Sequence, residues 1–199
     1  MRMIGRAALH TLRYLAGWDG PATQTTEAER QALAEHAAGR RRAIEIGVFE
    51  GFNTEVIARE LASDGRLFAI DPFLPGKLGF CWSEVIARRQ ISRAGLSGRV
   101  TFVRAMSWDA CAQLNGDFDF MFIDGDHSWG GIERDWRDWS GRVSLGGIMA
   151  LHDTRVPEHN PAVAELGSCA FYREVIRHDS RFELVGSFDS LNVLRRLTG

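Results

Sequence analysis

The chain has 199 residues, 45% of them hydrophobic, enough to bury one sizeable core but short for two full domains. A formal net charge of -2 gives no general attraction to nucleic acid, and three cysteines without a CxxC pair speak against a disulfide framework or a thiolate zinc site. A reducing cytoplasm is the expected setting.

From Met1 to Leu15 the apolar residues are interrupted by Arg2, Arg6, His10 and Arg13, which leaves neither a secretory signal core nor a membrane span. Ile4, Leu9, Leu12 and Leu15 suit an amphipathic helix instead, expected to pack on the body or on a second subunit of a homodimer. After a loop around Trp18 to Pro21, the pair Thr26 and Glu29 gives a capping-box start to a helix reaching Ala38. Residues 1–39 therefore read as a helical segment packed on a core formed by 40–199. The triplet Arg40-Arg41-Arg42 reads as a solvated helix end rather than a binding patch.

Ala43 to Thr54 is the most informative stretch: a short buried strand, a turn with Gly47 and Gly51, and a helix start at Asn53-Thr54. The turn should leave backbone N–H groups pointing outward and let a ligand approach closely. Glu45 and Glu50 would repel a phosphate there, so a cationic or zwitterionic ligand is expected.

Further strand-like runs follow at Arg66 to Ile70, Val100 to Arg104, Phe118 to Ile123 and Gly147 to Leu151, separated by helical stretches at Asn53 to Ala62, Cys81 to Ala94 and Gly130 to Arg142. This alternation predicts an α/β fold, a doubly wound and mostly parallel sheet covered on both faces. A helix from Ala162 to Arg177 and a hairpin of Phe182 to Gly186 with Ser190 to Arg195 should close the chain. Ile132, Trp136 and Trp139 follow Trp129 at helical spacing and read as a core stripe, with Trp129 at the helix mouth the one candidate for contact with substrate.

In an open parallel sheet the ligand binds outside the carboxyl ends of the strands, so the polar residues there matter most. Asp71 can accept both hydroxyls of a ribose, or act as a turn former ahead of Pro72. Ser107 sits where an adenine rim would be, or caps the next helix. Asp124, Asp126 and His127 follow the fourth strand, and His152 and Asp153 follow the fifth. So many ionisable groups at adjacent strand ends imply a bound cation or proton transfer.

The segments Glu45 to Thr54, Ala69 to Asp71, Ile123 to Ser128 and Leu151 to Thr154 together resemble the motifs of class I S-adenosylmethionine-dependent methyltransferases, specifically the small metal-dependent O-methyltransferases. The resemblance implies a Rossmann-like sheet of seven strands with the last antiparallel. It also implies S-adenosylmethionine bound by residues 40–199, with Glu45, Gly47, Glu50 and Gly51 around the methionine moiety and the Asn53-Thr54 pair opening the helix. Asp71 would hold the ribose and Ser107 lie near the adenine. Asp124, beside the donor, and Asp153 would bind a divalent metal, magnesium or manganese; His152 stands where the family usually carries an Asp, Glu or Asn, and is either a further ligand or no ligand at all. An imidazole ligand shifts the preference toward manganese, iron or zinc.

The implied reaction is methyl transfer to a hydroxyl of a small molecule, a sugar or a phenol, with His127 or Asp126 taking the proton. A nicotinamide-dependent oxidoreductase is the rival enzyme, though the spacing of Gly47 and Gly51 departs from the dinucleotide fingerprint. A non-catalytic binding module that keeps the fold is the rival outside enzymes. The loop from Pro72 to Phe80 and the segment from Arg155 to Gly167 are expected to cover the acceptor, with Phe73, Leu74, Phe80, Trp82 and Trp129 either lining it or packing internally.

Overall fold

The computed structural model describes residues 2–76 and 79–198; Met1, Lys77, Leu78 and Gly199 lie outside the described residues, as do the side chains of Arg2, Met3 and Ile4. The Ile4 side chain expected on the first helix, and two residues of the loop expected over the acceptor, fall in that group. The elements run α1 (Arg2–Leu15), α2 (Glu27–Ala37), β1 (Arg42–Ile46), α3 (Phe52–Glu60), β2 (Arg66–Ile70), α4 (Trp82–Arg93), β3 (Val100–Val103), α5 (Ser107–Gln113), β4 (Phe118–Ile123), α6 (Trp129–Trp139), β5 (Val143–Leu151), α7 (Gly167–Glu174), β6 (Phe182–Phe188) and β7 (Leu191–Arg196).

All seven strands join one sheet in the order β3-β2-β1-β4-β5-β7-β6. β7 is antiparallel to both its neighbours, and the pairings from β3 to β5 are parallel. This is the α/β, doubly wound, mostly parallel seven-stranded arrangement expected. Because strand side chains alternate between faces, Ala43, Phe120, Phe122 and Ala150 build one core layer with α2, α3 and α4. Ile44, Met121, Ile123 and Met149 build the other layer, with α5, α6 and α7. Ile132, Trp136 and Trp139 are buried there as the stripe predicts. Trp129 stays half-exposed, edge-on to Phe171 at 5.1 Å.

Three expectations need correction. The closing helix is not continuous from Ala162 to Arg177 but splits into a 3-10 turn at Pro161–Glu165, α7, and a second 3-10 turn at Ile176–His178. Leu166 takes an extended conformation, and Gly167 comes so close to the Trp129 backbone that a Cβ would collide with it. α5 was anticipated only as a helix that Ser107 would cap and was given no bounds, because Ser107 to Gln113 is too short to show a period. Finally, α1 rests on α4 through buried Thr11 and Tyr14, whose hydroxyl donates to Gln90 Oε1 at 2.7 Å, while Leu9, Leu12 and Leu15 face outward.

Candidate active site

A cavity of about 750 Å³ opens at the carboxyl ends of β1, β2 and β4, within the range of roughly 300–1,000 Å³ usual for small-molecule sites. One wall is the turn after β1. Gly47 has φ +89 and stands so close to the Asp124 carbonyl that no side chain fits. The turn's donors do not point outward as expected: Val48 N and Phe49 N donate to Asp71 Oδ2 at 3.0 and 3.3 Å, and Gly47 N donates to the Ile70 carbonyl. Asp71 Oδ1 accepts from Phe73 N at 2.7 Å, so this carboxylate is both a turn former and a wall of the cavity.

Gly47, Asn53, Asp71, Ser107, Asp124, Asp126 and His127 all line the cavity. Glu45, Glu50, Gly51 and Thr54 do not. Glu45 lies fully buried beneath the turn; burial pushes its carboxyl well above the ordinary range, opposed by the Thr54 hydroxyl and reinforced by the charges of Asp124 and Asp71. Glu50 accepts from Ala22 N at 2.5 Å and contacts His10 Nε2 at 3.0 Å, which ties the N-terminal segment to the turn. Gly51, at φ +78, packs against Ala87 of α4. Ser107 is not the cap of α5, which is Met106; its hydroxyl donates to Asp135 Oδ1 on α6.

The second half of the site gathers around His152, which is 5% exposed. Its Nδ1 stands 2.8 Å from Asp124 Oδ1 and 3.7 Å from Asp153 Oδ2, and its Nε2 is 3.4 Å from Glu29 Oε2. Burial alone would discharge this imidazole. The facing carboxylates of Asp124 and Glu29, with the charge of Asp153, outweigh it and raise the His152 pKa to about 10. Burial likewise opposes ionisation of Glu29, but His152, Ser190 and Thr26 draw its pKa down to about 2.

Glu29 was read as a capping residue only, and it is one: Thr26 N donates to its Oε2 at 2.8 Å. It also accepts from Ser190 N and Ser190 Oγ at 2.8 and 2.7 Å, which ties α2 to the turn between β6 and β7. The capping signal accounted for Glu29 fully at the sequence level and hid this second role. His127 bridges the rim, with Nε2 3.6 Å from Asp124 and Nδ1 3.5 Å from Asp153. Ser168, buried at the start of α7, donates its N–H to the His127 carbonyl and its hydroxyl to the Asp153 carbonyl.

Ligand atoms of Asp124, His127 and His152 lie within 4.8 Å of one another, and the buried His152 Nδ1 makes no hydrogen bond of ordinary geometry despite its closeness to Asp124. Such convergence fits a divalent cation, and Asp153 stands on the same side. Asp126 is turned away, its Oδ1 accepting from Ser128 N at 2.9 Å. Thr154 is occupied structurally, with its hydroxyl on the Leu151 carbonyl.

Beyond this cluster lies a second, smaller cavity of about 270 Å³, reached by His152, Asp153, Pro157, His159, Asn160 and Ser190. Gln24 lines both cavities. Of the expected apolar lining, Phe73, Leu74, Phe80, Trp82 and Trp129 border neither cavity. Phe73 is buried against Phe102, and Phe80 packs edge-on to Trp82.

Residues 44–154 match a family model described as "Methyltransferase domain". Tricin synthase 1 of Oryza sativa subsp. japonica is 30% identical over 118 residues, 55% of this chain and 44% of that protein. Tapetum-specific methyltransferase 1 of Arabidopsis thaliana is 28% identical over 172 residues, 77% of this chain and 69% of that protein. The chain spans about half the length of most curated relatives it matches. Among solved structures, an O-methyltransferase from Bacillus cereus in complex with SAH superposes with TM-score 0.68 at 24% identity, covering 96% of this chain and 90% of that one.

Proposed function

The chain belongs to the class I S-adenosylmethionine-dependent methyltransferase family, and on that premise we propose that it transfers a methyl group from S-adenosylmethionine to a hydroxyl of a small molecule. The observation that carries this reading is the meeting of two cavities at one wall: Asp124 and His127 face the larger, His152 and Asp153 the smaller. A donor in the first and an acceptor reaching in from the second would have to meet directly where the two cavities adjoin, so that the acceptor oxygen takes the methyl in line as the S–C bond breaks.

In this reading Asp71 accepts from the ribose hydroxyls, Ser107 lies at the adenine end, and Gly47 with Asn53 borders the methionine moiety. Glu45, Glu50, Gly51 and Thr54 support the turn from behind. His127 takes the acceptor's proton. It sits at the rim between Asp124 and Asp153, whereas Asp126 is engaged with a backbone N–H. Asp124, His152 and Asp153 would hold a divalent cation, manganese in preference to magnesium because one ligand is an imidazole, and a cation there would lower the pKa of the acceptor hydroxyl.

The smaller cavity carries hydrogen-bonding groups on nearly every side and no aromatic ring other than imidazoles, which favours a sugar-like acceptor over a phenol. Three free cysteines suit a reducing cytoplasm, and no described helix is long and apolar enough to cross a membrane. The net charge of -2 argues against a nucleic acid partner. The outward Leu9 and Leu12 would suit the contact of a homodimer.

Calorimetry with S-adenosylhomocysteine and with NAD tests the donor, and assay of a hydroxyl-acceptor panel with manganese tests the reaction. Binding of NAD alone would overturn the reading. Binding of S-adenosylhomocysteine without turnover of any acceptor would make the chain a binding module.

A further inference from the structure

Asp135 sits on α6 with only 4% of its surface exposed, at the end of the larger cavity that Met106, Ser107 and Trp108 also line. Its Oδ1 accepts from the Ser107 hydroxyl. Its Oδ2 makes no hydrogen bond among the described residues and looks toward Gly125, 3.6 Å from where a Cβ would stand there. The glycine thus keeps the approach to that oxygen open. Burial raises the Asp135 pKa to about 6, against the pull of the Ser107 hydrogen bond. An acceptor on a residue that borders a ligand cavity, with no donor from the protein, is left for a donor on the ligand.

Resting on the donor reading above, we infer that Asp135, held by Ser107, reads the exocyclic amine of the donor's adenine and so sets the base specificity of the site. The amine of adenine is a hydrogen-bond donor, and a 6-oxo base places an acceptor at the same position, where it would face a carboxylate. Asp135 is then a specificity residue, distant from the reacting atoms and silent in the chemistry.

The test is the ratio of affinities for S-adenosylhomocysteine and its deaminated analogue S-inosylhomocysteine, measured by calorimetry on the full chain. The wild type should prefer the adenosyl compound by at least about tenfold, and Asp135→Asn, whose amide offers both a donor and an acceptor, should bring the ratio close to one. A preference that survives in folded Asp135→Asn, checked by circular dichroism, overturns the inference and leaves the donor reading intact. A wild-type ratio near one overturns it without any variant. If the wild type binds neither compound, the donor reading itself fails.

Discussion

The two halves of the site are built differently. The half formed by β1 and β2 is a backbone device: the Gly47 turn is closed by Asp71, and its residues lie within 25 positions of one another along the chain. The half around His152 is a side-chain device assembled from α2, β4, β5 and the turn before β7, so that Glu29 and Ser190 meet across 161 positions. A backbone device is legible in local sequence and tolerates little, whereas a side-chain device is illegible locally and fails one bond at a time.

The sharpest way to break the comparison is at the shared wall. Asp124→Asn or Asp153→Asn should lower turnover by about three orders of magnitude or more, with affinity for S-adenosylhomocysteine changed little; steady-state assays beside calorimetry separate the two, and full activity in both variants would remove the cation site. Next in size is the side-chain half. Glu29→Gln leaves His152 without its second carboxylate and should cost about 3 kcal/mol of stability by urea unfolding. Gly47→Ala attacks the backbone half and should cost about 2 kcal/mol together with loss of donor binding, since both the positive φ and the Asp124 carbonyl forbid a side chain.

A further effect is in pH. Folded protein holds the His152 proton more tightly than the unfolded chain does, so that contribution is fully present below pH 6.5 and is lost as pH rises through about 10. Folded Glu29 holds its proton less tightly, so its contribution is present above pH 4.5 and is lost as pH falls through about 2. Thermal unfolding in chelator should therefore show this pair acting most strongly between pH 4.5 and 6.5. Manganese should shrink the alkaline loss, because a bound cation replaces the proton.

This division also explains what could be read in advance. The strand ends carrying Asp71, Asp124, His127, His152 and Asp153 were visible because short apolar runs stop at them. The seven strands with an antiparallel last one followed from the family resemblance and agree with the sheet found, whose strand order was not read in advance. Glu29 was hidden by its own capping box, a local explanation that left nothing over to explain. Asp135 was hidden by the tryptophans. It lies three residues after Ile132 and four before Trp139, an acid at core spacing inside an apolar stripe, and that misfit was the signal available. Gly51 and Glu50 were assigned to the ligand because the motif treats the turn as one surface, whereas the turn has an inner and an outer side.

At Gly47 two stretches of main chain touch with nothing between them, so the seat of the first turn against the end of β4 is set by the skeleton of the protein and cannot be adjusted by exchanging side groups. Any relative that accepts a bulkier or smaller partner molecule must gain that room elsewhere. The stretch from Pro157 to Val163, which borders the smaller cavity and holds neither strand nor α-helix, is where insertions and substitutions would reshape that cavity while the turn stays as it is.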